Sequence, residues 1–426
     1  MAGRFSMLGN SVLMNRFTDC RSSSPRAVGS RWSGWLMVAV AALGSCGPAA
    51  RADRWVWFGC YTGEPPRGEG IYVARYDETA GELGPARLAG SVKNPSFLAL
   101  HPELPVLYAV SEIADHDGKP SGGITSLTID ETSGKLTRQS VQPSGGKGPC
   151  HLSVDHTGSV LLAANYGSGS TICLGLAADG SLKPVVPAAD GRPGGFLQHT
   201  GSGPNKGRQQ SPHGHSIDPT ADGRFAVSCD LGADRVFVHR LDTKAATLGL
   251  HTKAPTRPGG GPRHFAFHPS LPYGYANNEL DMTVTAFRFD GRQGRLEPLK
   301  TLSTLPASVT DRAGFSTAEI AVHPNGRFVY VSNRGHDSLA IFAVDQQTGL
   351  LAFRGVEPTR CQTPRHFAIA PGGHRLFAAG QASGTVTAFT LEPETGKLAF
   401  TGKSVKVPSP VCILFSRPLP PPAARP

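Results

Sequence analysis

Charge is scarce in this chain. Only 17% of its 426 residues are Asp, Glu, Lys or Arg, and no block of basic residues stands out. The net charge is +10, but the first 52 residues hold six arginines against one aspartate. The remainder is nearly balanced, so a nucleic-acid-binding surface is not expected. Apolar residues at helical spacing are missing over any useful length, which argues against a helical or α/β fold. The one marked apolar run, Trp35–Leu43, is too short to span a bilayer. The eight cysteines show no Cys-x-x-Cys pair and no zinc-ligand spacing. There is no Walker loop, no Rossmann fingerprint and no Gly-x-Ser-x-Gly elbow. Together these absences remove the dithiol, structural-zinc, nucleotide-dependent and serine-hydrolase classes, and no cofactor or metal is expected.

Turn chemistry is abundant instead, with 52 Gly and 36 Pro. It punctuates a repeat. The clearest copies are Gly261-Pro-Arg-His-Phe-Ala-Phe-His-Pro269 and Thr363-Pro-Arg-His-Phe-Ala-Ile-Ala-Pro371. Looser copies begin at Asn94-Pro95, Gly148-Pro149, Ser211-Pro212 and Ser316-Thr317. Each unit holds four strand-like runs. In one unit these are Ala318–Val322, Arg327–Ser332, Leu339–Val344 and Leu350–Arg354, separated by turn clusters such as His323-Pro-Asn-Gly326. Four strands repeated roughly every 50–60 residues mark a β-propeller. A further copy is split between the ends. Trp55–Phe58, Gly70–Tyr76 and Leu83 onward lack a first strand, and Ser409–Phe415 supplies one. The sequence therefore predicts an all-β, seven-bladed propeller of four-stranded antiparallel blades, its ring closed by the C-terminal strand.

The propeller is assigned to residues 53–416, with 417–426 as a Pro-rich disordered tail. Residues 1–52 read as an export signal: Arg16, Arg21, Arg26 and Arg31, then Trp35–Leu43, then Ala50-Arg-Ala52. A periplasmic or extracellular monomer is expected. Leu43-Gly-Ser-Cys46 could alternatively be a lipoprotein box with a lipid anchor on Cys46. The later cysteines, Cys60, Cys150, Cys173, Cys229, Cys361 and Cys412, read as small buried residues.

Strand alternation sorts the loops. Starts of first strands, ends of second strands and ends of fourth strands share one face. On the other face the turns are tight and carry His101, His268 and His323. On the first face they are long: Glu112–Gly123, Pro187–Ser211 and Ser303–Phe315. Pro187–Ser211 is expected to be a flap over that mouth. The polar residues follow the same sorting. First strands open with Cys150-His151, His213-Gly-His215, Arg263-His264, Ala318-Glu319 and Arg365-His366. Second strands end with Ser111-Glu112, Asn165-Tyr166, Asn278-Glu279, Asn333-Arg334 and Gln381. Any one of these could only tie strands together. Two arginines, a carboxylate and a histidine converging on one axis suggest a site for a small anionic or oxygen-rich ligand. His151, Asn165, His213, Asn278, Glu319 and His366 are expected to add substrate contacts.

Several motifs resemble the seven-bladed lactonase family, which includes bacterial 6-phosphogluconolactonases and fungal carboxy-cis,cis-muconate cyclases. They are Phe58-Gly-Cys-Tyr-Thr62, Arg208-Gln-Gln-Ser-Pro-His-Gly-His215, Gly261-Pro-Arg-His264, Asn278-Glu279, Phe315-Ser-Thr-Ala-Glu319 and Ser332-Asn-Arg-Gly335. The resemblance implies catalytic roles for His215, Arg263, Glu279 and Arg334. The chain departs from that pattern at Cys60, where Thr is usual, and at Gln381, where Asn is usual. By resemblance the expected reaction is hydrolysis of a sugar-type lactone, with a small anionic or sugar lactone as the binding partner. The arginines would stabilise the oxyanion, and either Glu279 or His215 would move the proton. Two other readings are a muconate-type cycloisomerase acting on a dicarboxylate, and a non-catalytic propeller that binds carbohydrate or protein.

Overall fold

The computed structural model describes residues 53–64, 67–191 and 194–419. Residues 1–52, where an export signal is expected, and the last seven residues lie outside the described residues. Every regular element described is a strand. They form seven antiparallel sheets. Blade 1 is built from Leu98–Leu100, Val106–Ser111, Gly123–Ile129 and Leu136–Pro143. Blade 5 is Ser316–Val322, Phe328–Arg334, Ser338–Val344 and Leu351–Pro358, against the four runs expected there. Blades 2, 3, 4 and 6 begin at Pro149, Gly214, Pro262 and Pro364.

Blade 7 is the split copy. Pro410–Phe415 pairs antiparallel with Arg54–Cys60, setting Trp57 opposite Leu414 and Phe58 opposite Ile413. Ile71–Asp77 follows, and its outer neighbour is broken into Glu82–Leu83 and Arg87–Gly90. Beyond the closing strand, the Leu419 amide donates to the Asp53 carbonyl.

Strands bury one side chain in two against each neighbouring blade, so the core is seven separate layers. One holds Phe328, Tyr330, Phe367 and Phe389; another holds Tyr275, Val329, Val331 and Phe342. Hydrogen bonds tie blade to next blade in a repeating way. On the second strands, Trp57 Nε1 donates to Gly134 O, Tyr108 Oη to Gly180 O, Tyr275 Oη to Gly349 O and Tyr330 Oη to Gly396 O. Each acceptor is a glycine in the outer turn of the next blade. On the far face, His268 and His323 accept a backbone N–H at Nδ1, so their Nε2–H donates to Gly326 O and Gly373 O at 2.9 Å. His101 does the same toward Gly158 O at 3.3 Å. The far-face histidines are thus latches that satisfy buried carbonyls.

The expected flap is only half correct. Phe196–Gln198 pairs with Ser170–Ile172 as the fourth strand of blade 2. Residues 176–191 and 194–195 therefore belong to the turn from third to fourth strand and lie on the far face. Only residues 199–211 run toward the mouth. A three-residue strand flanked by Gly194-Gly195 leaves too short an apolar run to be read from sequence.

Candidate active site

The mouth is built by bulges at the starts of the innermost strands. In blade 4, Pro262 pairs with Asn278 and His264 with Asn277, so Arg263 has no opposite number. The same slip leaves Cys150 unpaired in blade 2, His215 in blade 3 and Arg365 in blade 6. In blade 5, Ala318 and Glu319 together face Ser332. A bulge bends the strand and re-aims the extra side chain. Of the extra side chains, Cys150, His215 and Arg365 line the mouth and Arg263 reaches Glu279 there, while Glu319 turns to His264 and His366 beneath it. The ends of the second strands contribute the rest: Tyr61, Glu112, Tyr166, Glu279 and Arg334. They enclose a pocket of about 310 Å³, lined also by Cys150, Arg208, His215, Ser316 and Arg365.

Glu279 is its hub. Oε1 accepts a bond from Arg208 Nη2 at 2.7 Å, and Oε2 accepts from Arg263 Nε at 3.0 Å. Arg334 Nη2 reaches the same Oε2 at 3.0 Å. Burial alone would raise this carboxyl's pKa, but Arg334, Arg263 and Arg208 outweigh burial and hold it down to about 2. The arginines are fixed in turn. Arg263 Nη1 donates to the Ala318 carbonyl, and Arg334 Nη2 donates to the Thr317 carbonyl at 2.9 Å. Burial lowers the Arg334 pKa to about 10 despite Glu279. Its Nε is buried with no hydrogen-bond partner among the described residues.

His215 stands beside this cluster, its Nε2 4.0 Å from Glu279 Oε2. Its ring meets Tyr166 edge-on at 5.4 Å, and its Nδ1 is 3.6 Å from Cys150 Sγ. Burial, then Arg263 and His264, depress its pKa well below 6.5, so the imidazole is neutral. The Cys150 thiol is held protonated by burial. Arg365 lies over the Tyr61 ring at 5.4 Å, and Tyr61 Oη donates to Glu112 Oε2 at 2.9 Å. Among the described residues no carboxylate is within ion-pair distance of Arg365. Four arginines therefore meet two carboxylates at this mouth, leaving a positive surplus.

The structure brings His215, Arg263, Glu279 and Arg334 together. The other expected contacts fall elsewhere. Asn165 and Asn278 do not reach the pocket: their amides donate to Ser170 Oγ and to Thr283 Oγ1, tying second strand to third, as Asn333 does with Ser338. His213 sits at the rim, stacked on Tyr166 at 4.6 Å with Nδ1 on the Tyr166 carbonyl. His151, His264 and His366 lie one layer beneath the pocket around Phe97, and Glu319 lies there against His264 and His366. Arg208 and Arg365 were missed as site residues. Arg365 occupies in its repeat the place Arg263 holds in its own, which is a usable signal. Arg208 comes from the long segment before blade 3, where only its place in the motif ending at His215 marks it.

Comparisons with known proteins agree with this fold. The family described as lactonase, seven-bladed β-propeller, matches residues 55–415. A 6-phosphogluconolactonase of Bacillus subtilis is 37% identical, over 83% of this chain and 97% of that protein. One from Formosa agariphila is 33% identical, over 74% of this chain and 85% of that one. Among solved structures, a periplasmic gluconolactonase of Pseudomonas aeruginosa has a TM-score of 0.78 at 34% identity, covering 87% of this chain and all of the other.

Proposed function

The chain belongs to the seven-bladed β-propeller lactonase family, and from that premise we propose that it hydrolyses a sugar-type lactone in the manner of a 6-phosphogluconolactonase. The observation that carries this is the clamp of three arginines on one carboxylate beside a neutral histidine. Such a site stabilises negative charge without needing a proton from the arginines. A water molecule attacks the lactone carbonyl carbon, and His215 accepts its proton. The carbonyl oxygen becomes an oxyanion facing the guanidinium groups. The ring oxygen then leaves, taking a proton from the His215 imidazolium, and the product is the open hydroxy acid.

Between the two candidate bases, availability favours His215: it is a neutral imidazole, whereas both oxygens of Glu279 are already taken up by Arg208, Arg263 and Arg334. Glu279 is better suited to aligning the guanidiniums. The unpaired Arg365 and the positive surplus suit a substrate that carries its own negative charge. The relation to a periplasmic gluconolactonase supports action outside the cytoplasm, and the basic-apolar-Ala-x-Ala pattern of residues 1–52 supports export.

The test is initial-rate measurement on phosphorylated and unphosphorylated sugar lactones, corrected for spontaneous ring opening. Turnover should be abolished or strongly reduced in His215→Ala. Arg365→Ala should raise KM mainly for the charged substrate. No rate above the spontaneous one on any lactone would overturn the reading.

A further inference from the structure

Beneath the pocket floor lies a buried layer that the proposed chemistry does not touch. It holds Glu319, His264 and His366, all under one-tenth exposed. Their proton positions follow from their partners. His264 Nε2 is 3.1 Å from Arg263 Nη1, which can only donate, so Nε2 must carry the lone pair. The proton is then on Nδ1, which lies 3.1 Å from both oxygens of Glu319. His366 Nδ1 accepts the Ile413 amide N–H at 3.3 Å, so its proton is on Nε2, 3.3 Å from Glu319 Oε2. The Ile320 amide donates to Glu319 Oε1 at 3.0 Å. Among the described residues, every hydrogen-bonding partner of this carboxylate is thus a donor, and an acceptor-only carboxylate fits where an amide or a protonated acid would meet one of them with its own hydrogen.

We propose that Glu319 and His264 are positioning residues: a carboxylate–imidazole chain that fixes His264 as an acceptor and through it sets the angle of the Arg263 guanidinium against Glu279. This rests on the lactonase reading. Arg263 sits on a bulge, where the backbone ladder that would hold its base is interrupted. Its remaining restraints are Glu279, the Ala318 carbonyl and His264. Ala318 and Glu319 share the bulge of blade 5, so one distorted segment supplies two of the supports for Arg263. Protonating His264 would turn its Nε2 against a guanidinium already close to Arg365. Burial and those two arginines keep the ring neutral.

The experiment compares three variants by kcat and KM on the best lactone. Glu319→Gln and His264→Leu should lower kcat by about tenfold to a hundredfold while leaving KM within roughly threefold, because a misaimed transition-state donor costs rate more than binding. His264→Gln, whose amide oxygen can accept from Arg263, should recover most of the rate lost in His264→Leu. Equal rates in His264→Leu and His264→Gln, or wild-type kcat in Glu319→Gln, would overturn the proposal. A second measurement is independent of turnover. In the imidazole 15N spectrum of the wild-type protein, assigned by loss of a signal in His264→Gln, His264 should be protonated at Nδ1 and His366 at Nε2. Protonation of His264 at Nε2 would overturn the chain whatever the rates show. If the wild type opens no lactone, the functional reading falls, and the spectrum still decides this one.

Discussion

At Glu279 three guanidiniums converge on two oxygen atoms, and that arrangement makes two predictions. Glu279→Gln removes the charge that gathers Arg208, Arg263 and Arg334, so kcat/KM should drop by about a hundredfold or more while the propeller still folds. A rate within a few-fold of wild type would show that the clamp is not needed. The second prediction concerns pH. The carboxyl sits at about 2 in the fold against an ordinary 4.5. A depressed carboxyl stabilises the fold fully above its ordinary value and loses that contribution as pH falls toward the folded value. The melting-temperature advantage of wild type over Glu279→Gln should therefore be steady above about pH 5 and shrink between about pH 4.5 and 2. A gap that widens on acidification would contradict the sign. The four central residues were legible in the sequence because each stands polar at a strand end in an otherwise apolar run. Asn165 and Asn278 misled for the same reason. A polar residue at the end of a second strand can point to the axis or back into its own sheet, and the alternation of a strand does not say which side faces the ligand.

Among the elements, the turns that receive a neighbour's hydroxyl are the most exacting. Gly396 has φ near +73°, and a Cβ there would come within 2.3 Å of the Phe328 ring. Gly396→Ala should cost about 1–3 kcal/mol, from backbone strain as well as contact. Tyr330→Phe leaves the buried Gly396 carbonyl without its donor and should cost about 1 kcal/mol. Chemical denaturation of the two variants measures both. No loss in either would mean that these latches contribute nothing to blade cohesion. Strand positions could be read well from the sequence, because turn clusters bound nearly every one. The bulges could not, although their trace is present: Cys150, Arg263 and Arg365 each follow the proline that opens a repeat. A one-residue slip is invisible to hydrophobic period when the residues on both sides of it are buried. The outer strand of blade 2 was misplaced because Phe196–Gln198 is too short to register as a run.

For the whole molecule the ring is the organising constraint. The split seventh copy was legible because one end lacked a first strand and the other had one to spare. Trp55 N donates to Ser416 Oγ across 361 positions of sequence. Deleting Pro410–Phe415 should expose the edge of Arg54–Cys60 and the faces of Val56 and Phe58, giving a protein that aggregates rather than one slightly weakened. A soluble, cooperatively melting truncated protein would show that the ring does not depend on this strand.

Closing a circle with its last strand also puts a clock into the chain. Blades 1 to 6 each contain all their own strands and can form as they emerge from the ribosome, whereas blade 7 must wait for Pro410–Phe415. Until then His366 lacks the Ile413 amide that sets its tautomer, and the circle that spaces Arg365 from Arg263 stays open. A nascent chain that stops short of Pro410 would thus carry every residue of the pocket and yet not the pocket itself, and adding Pro410–Phe415 would switch on site and circle in one event.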